Sequence, residues 1–119
     1  MCIRDSADMV GHTGNFEAAT QAVQHLDNCL EALIPIALRA QYKIIIIADH
    51  GNSDYMINDD GSPHTAHTTN PVPIIVLDPE DKVKGVSSGK LADIAPTLLE
   101  LMNVPIPEEM TGVSLIRHI

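Results

Sequence analysis

Asp8 and His12 stand four residues apart in "DMVGH", and Asp49 and His50 adjoin in "IIIIADHGN". His64 and His67 follow in "PHTAHTTNP". Carboxylates and imidazoles are the donors that hold hard-to-borderline divalent cations. If residues 8–12 turn helically, Asp8 and His12 share one face, about 5–6 Å apart at Cβ, and both can meet one ion. Asp49 and His50 lie where an apolar strand ends, and in open α/β sheets sites gather at such ends. Each feature alone is weak. Asp and His fall four apart by chance, a "DHG" after a strand is more often a turn, and a loop histidine is more often solvated than bound. Together, three separate places offer Asp or His among small, turn-forming residues that permit close approach.

No cysteine joins the set. A mixed carboxylate–imidazole group suits Mn²⁺ or Zn²⁺ and, less well, Mg²⁺. Five candidate ligands, drawn from Asp8, His12, Asp49, His50 and the His64–His67 segment, exceed what one open tetrahedral site uses, which points to two neighbouring ions. Paired ions can activate an attacking oxygen and neutralise a phosphoryl group in transit. Each neutral imidazole also needs its second nitrogen held, and Asn52, Thr65, Thr68 and Asn70 are the polar residues at hand.

The elements that position these residues read as α/β. Apolar residues recur at three- and four-residue steps from Phe16 to Leu33, predicting a helix that Thr13 or Asn15 caps. Pro35 is expected to end or bend it. Lys43–Ala48 and Pro73–Leu77 read as strands buried on both faces, hence a mostly parallel sheet flanked by helices. A second helix is expected from about Asp93 to Met102, with Asp93 as its cap. The connection between the strands is rich in Gly, Asn, Asp, Thr and Pro, and a structureless loop of that length in a compact domain is usually functional or disordered. Two or three strands are fewer than a covered sheet needs, so the segment is expected to be part of a larger α/β domain.

The chain has 119 residues, 45% apolar and only 3% aromatic, so aliphatic side chains must fill its interior. Its net charge is −9 and Lys plus Arg total seven, dispersed along the chain, which argues against nucleic acid as a partner. The same scarcity argues against an unaided grip on a phosphorylated substrate. No apolar run has the length of a membrane span or a signal sequence, so a cytoplasmic protein is expected. Cys2 and Cys29 form no CxxC and no disulfide framework.

"DMVGHTGNFEAA", "IIIIADHGN", "HTAHTTNPVPIIV", "LADIAPTLLELM" and "PIPEEMTGVSLI" resemble, in order, the carboxyl-terminal part of cofactor-independent (2,3-bisphosphoglycerate-independent) phosphoglycerate mutases. These belong to the alkaline-phosphatase-like metalloenzymes. The resemblance implies a partial alkaline-phosphatase-like sandwich over 8–119 and leaves residues 1–7 as an unmatched or non-native start. It implies interconversion of 3-phosphoglycerate and 2-phosphoglycerate through a phosphoserine, two metal ions (usually manganese), and a monomer when complete. By motif, Asp8, His12 and His67 resemble the ligands of one ion, and Asp49 and His50 those of the other. His64 stays unassigned. The nucleophilic serine, a further aspartate ligand and the basic residues that hold substrate match nothing in this chain. No mutase activity is therefore expected of it alone. The alternatives are a non-catalytic metal-binding remnant and part of another alkaline-phosphatase-like phosphatase or mutase.

Overall fold

A computed structural model describes residues 5–117. Cys2 lies outside the described residues. The chain order is α1 (Asp5–Gly11), α2 (Phe16–Arg39), β1 (Ile44–Ile47), β2 (Ile74–Leu77), β3 (Gly85–Val86), a 3₁₀ turn (Leu91–Asp93), α3 (Ile94–Leu101) and β4 (Ile116–Arg117). By packing they form two units. One holds α1, α2 as far as Pro35, and Ala48–Val72; the other holds Ile36–Ile47 and the chain from Pro73 onward.

In the first unit, Asp8 and His12 do lie one helical turn apart, in α1 and at its end. The turn into α2 is fixed locally. Thr13 Oγ1 donates to the Val10 carbonyl at 2.6 Å and accepts the Asn15 N–H at 3.2 Å, while Gly14 takes a left-handed φ of 71°. Asn15 is the cap of α2: its Oδ1 accepts the Ala18 N–H at 3.0 Å. Pro35 does not end α2, which runs on to Arg39. The lost N–H leaves one carbonyl a turn earlier without its helical donor, a defect that a helix of 24 residues tolerates.

The 49–73 connection is not structureless. Gly51 and Thr68 form one isolated antiparallel bridge, and Ile57 and Pro63 another. Inside the second, Asn58 N–H donates to the Ser62 carbonyl at 2.9 Å, and Gly61 has a φ of 82°, which favours glycine. Among the described residues of this unit, Met56 and Ala19 are the buried hydrophobic side chains.

In the second unit the expected parallel sheet is not what the described strands form. β1 and β2 pair antiparallel, Ile44 opposite Leu77 through Ile47 opposite Ile74. β3 and β4 pair antiparallel as well, in a separate two-stranded ribbon. An unbroken isoleucine run records apolarity and not direction, and a long connection permits either. Nor are the strands covered on both faces, since Ile47 is 37% and Ile75 49% exposed. Helix α2 ends in this unit with Gln41 in the left-handed region (φ 63°), its N–H on the Leu38 carbonyl and the Tyr42 N–H on that of Ala37. Asn103 closes α3 in the same way.

Asp93 organises the remainder. It sits in the 3₁₀ turn just before α3, yet its carboxylate does not cap that helix. Instead it accepts the Lys90 N–H at 2.8 Å and the Val113 N–H at 2.9 Å. Those two N–H groups, Lys90 first, hold its carboxyl below the ordinary aspartate range. Thr97, fully buried, donates to the Asp93 carbonyl at 2.6 Å and accepts the Leu115 N–H at 3.0 Å. The tail is thereby tied to the start of α3.

Candidate metal centre

The first unit contains every proposed ligand. Helix α1 carries Asp8 and delivers His12 just past its end; the segment after β1 carries Asp49 and His50; the loop before β2 carries His67. Asp8 Oδ1 is the common point. His12 Nε2 lies 3.4 Å from it and His67 Nε2 3.5 Å from it. The rings of His50 and His67 stack, centroids 3.5 Å apart and 11° from parallel. His12 and His67 are 5.2 Å apart at their centroids. Asp8, His50 and His67 each offer one donor atom, and these atoms lie within 4.8 Å of one another.

The meeting of His50 and His67 has a backbone cause. Each immediately precedes one member of the Gly51–Thr68 bridge, whose Thr68 N–H donates to the Gly51 carbonyl at 2.8 Å. Across this antiparallel bridge the two histidines are diagonal neighbours, a separation that ring side chains can span. Gly51 is required there: a Cβ would fall 2.8 Å from Asp54 Oδ1 and closer still to Thr68 Oγ1.

Asn52 ties the loop to α1. Its Nδ2 donates to the Asp8 carboxylate and, at 3.0 Å, to the Asp8 carbonyl, and lies 3.3 Å from His12 Nε2. The electropositive end of an amide thus faces the same carboxylate and imidazole that a cation would use. Gly11 makes room for it, because a Cβ there would fall 2.7 Å from Asn52 Cγ.

Asp49 stands apart from this convergence. Its side chain is 86% exposed, and its Oδ1 lies 3.6 Å from His50 Nε2. His64 is also elsewhere: its Nδ1 meets Asn58 Oδ1 at 2.8 Å and its ring meets the edge of Tyr55. Thr68 and Asn70, two of the residues expected to hold second imidazole nitrogens, do other work. His50 Nδ1 faces the Gly51 carbonyl at 3.3 Å, and His12 Nδ1 is buried with no hydrogen-bond partner. Thr68 and Asn70 both donate to Asp54 instead. Those two bonds, Asn70 first, lower the Asp54 carboxyl below its ordinary range. Sequence reasoning missed Asp54, since an exposed aspartate in a turn-rich loop carries no signal of its own.

The donor set fits a divalent cation. It combines one carboxylate with imidazoles presenting Nε2, all on segments that local hydrogen bonds already fix. The trio whose donor atoms lie within 4.8 Å of one another also crosses the division implied by the resemblance, because His50 stands with Asp8 and His67.

Comparison with known proteins agrees with this chemistry. Residues 4–106 match the metalloenzyme superfamily. The chain is 50% identical to a 2,3-bisphosphoglycerate-independent phosphoglycerate mutase of Rippkaea orientalis, over 94% of its own length and 23% of the relative's. It is 55% identical to the enzyme of that name from Flavobacterium johnsoniae, over 93% of this chain and 22% of that one. It also superposes on a crystal structure of Leishmania mexicana phosphoglycerate mutase at low cobalt concentration, with a TM-score of 0.77 and 31% identity, covering 95% of this chain and 24% of that one. The chain thus spans less than a quarter of the length of these relatives. With 103 of its 119 residues inside the match, among them the carboxylate–imidazole cluster, the chain belongs to the metalloenzyme superfamily.

Proposed function

We propose that this chain is the metal-binding, carboxyl-terminal part (8–119) of a phosphoglycerate mutase that interconverts 3-phosphoglycerate and 2-phosphoglycerate. The observation that carries the reading is the convergence of Asp8, His12, His50 and His67 from three segments far apart in sequence, in a chain about half identical to such mutases. Asp8, His12 and His67 hold one divalent ion, and Asp49 and His50 belong to a second; manganese suits the donors. When bound, such ions supply charge neutralisation to a phosphoryl group and lower the pKa of an attacking oxygen.

The chain's own residues bind and orient. Asp8 brings the negative charge, the imidazoles bring neutral donors, and Asn52 holds the carboxylate against α1. Among the described residues no serine has the setting of a nucleophile. Ser62 Oγ donates to Asp60 and Ser114 Oγ accepts the Ile116 N–H, both turn roles. The phosphoserine step and the grip on substrate therefore fall to residues outside this chain. No helix among the described residues is long and apolar enough to cross a membrane, which is compatible with a cytoplasmic enzyme.

Titration calorimetry with Mn²⁺ tests the reading. The wild-type chain should bind, His67→Ala should lose at least about tenfold in affinity, and His64→Ala should bind as wild type. Equal binding by wild type and His67→Ala would sink the assignment. The purified chain should not interconvert the two phosphoglycerates; turnover would show that the serine and basic grip are dispensable.

A further inference from the structure

The geometry points to Asp54 as a positioning residue that sets the His50–His67 pair without touching either. It rests on the metal-binding reading above. Asp54 lies outside the ligand cluster, yet it spans the two loops that deliver these histidines. Its Oδ2 accepts the Thr68 hydroxyl at 2.9 Å and the Asn70 amide, while its own chain segment leaves the 50–52 turn, where the Tyr55 N–H meets the Asn52 carbonyl at 3.1 Å.

The bridge it supports is short. Gly51–Thr68 is isolated and is not part of a ladder, so no neighbouring strand hydrogen bonds hold its register. A slip of one residue would turn His67 to the opposite face. The carboxylate closes the bridge from the side, fastening Thr68 beside Gly51 through its hydroxyl and fastening Asn70 two residues on. Gly51, lacking Cβ, lets the carboxylate and the hydroxyl approach. Both bonds are exposed, so they contribute little to global stability. What they supply is alignment of a donor pair, and loss of such outer support typically costs about 10–100-fold in metal affinity.

The test uses the full 119-residue chain with Mn²⁺ alone as the probe, and two readouts. The first is Mn²⁺ affinity by calorimetry. The second, in metal-free protein, is the nuclear Overhauser contact between the His50 and His67 rings, which their stacking should produce. Asp54→Ala should weaken Mn²⁺ binding at least about tenfold and abolish the ring contact. Asp60→Ala removes an equally exposed carboxylate, bonded only within its own turn to Ser62, and should change neither. Thr68→Val should follow Asp54→Ala, and Thr68→Ser, which keeps the hydroxyl, should follow wild type. Should Asp54→Ala unfold, the Thr68 pair decides. Equal losses in Asp54→Ala and Asp60→Ala would overturn the proposal in favour of a bulk charge effect. So would an intact ring contact in Asp54→Ala and Thr68→Val. If the wild type binds no Mn²⁺ while the ring contact still depends on Asp54, the metal reading fails and the positioning role stands.

Discussion

Gly11→Ala sets two effects of opposite sign against each other. Alanine at the last residue of α1 should favour the helix, by at most about 1 kcal/mol over glycine. The added methyl would lie 2.7 Å from Asn52 Cγ and nearer to its Oδ1, so the amide must swing away. Ser53 Oγ, at 3.0 Å, can rotate clear. Displacing Asn52 breaks its bond to the Asp8 carboxylate, worth about 1.5 kcal/mol at the low end for a charged acceptor because Asp8 is 42% exposed. It also breaks the bond to the Asp8 carbonyl, worth about 1 kcal/mol. The gross loss of about 2.5 kcal/mol exceeds the helix gain, leaving a net destabilisation of about 1.5 kcal/mol. Urea unfolding followed by circular dichroism measures it. The decisive arm is Asn52→Ala. In that background the methyl meets no amide, and Gly11→Ala should become neutral or stabilising by up to about 1 kcal/mol. A destabilisation of the same size in both backgrounds would refute the reasoning, because the clash would then lie elsewhere.

Thr97→Val keeps the shape of a fully buried side chain but strands the Leu115 N–H beside a residue only 4% exposed. A loss of about 2–3 kcal/mol is expected by urea unfolding, and Thr97→Ser should retain most of the wild-type stability. Asp93 has its carboxyl lowered by the Lys90 and Val113 N–H groups, so its contribution is present above the unfolded aspartate value near pH ~3.9 and is lost as pH falls through the lower folded value. The stability gap between wild type and Asp93→Asn should therefore narrow steeply below about pH 4; a gap constant with pH would contradict this. Mn²⁺ at about a hundred times its dissociation constant should raise unfolding stability by about 2.7 kcal/mol, EDTA should reverse the gain, and the gain should shrink in His67→Ala.

Part of the candidate site's local geometry was legible because it depends on neighbouring residues. The four-residue step from Asp8 to His12, the adjacency of Asp49 and His50, and the cap at Asn15 each depend on a few neighbouring residues. What was not legible depends on which segments pair. The direction of β1 against β2 leaves no mark on two aliphatic runs. The Gly51–Thr68 bridge joins residues 17 apart, and nothing in "DHGN" or "HTTN" names the other as its partner. Asp54 and the contacts of Asn52 are consequences of that pairing, so they were out of reach until the pairing was known. Pro35, expected to end or bend the helix, does not end it, since α2 continues to Arg39.

The proportions of polar and apolar contact also bear on how such a site stays ordered. In the unit that carries it, Ala19 and Met56 are the buried hydrophobic residues, while Phe16, Val23 and Leu33 along α2 remain exposed. Little hydrophobic burial is therefore available there to fix the loops. The loops are fixed instead by directional bonds from Asn52, Thr68 and Asn70 to two carboxylates, with glycines at 11 and 51 admitting the close approach. Directional bonds hold geometry better than they add stability, since each exchanges with water at small net gain. A cation shared by Asp8 and the imidazoles would supply what these bonds do not, a strong attraction that exists only when all donors are in place. Binding and local order should then be two sides of one equilibrium, and a substitution that loosens the loops should weaken the metal site even when it touches no ligand.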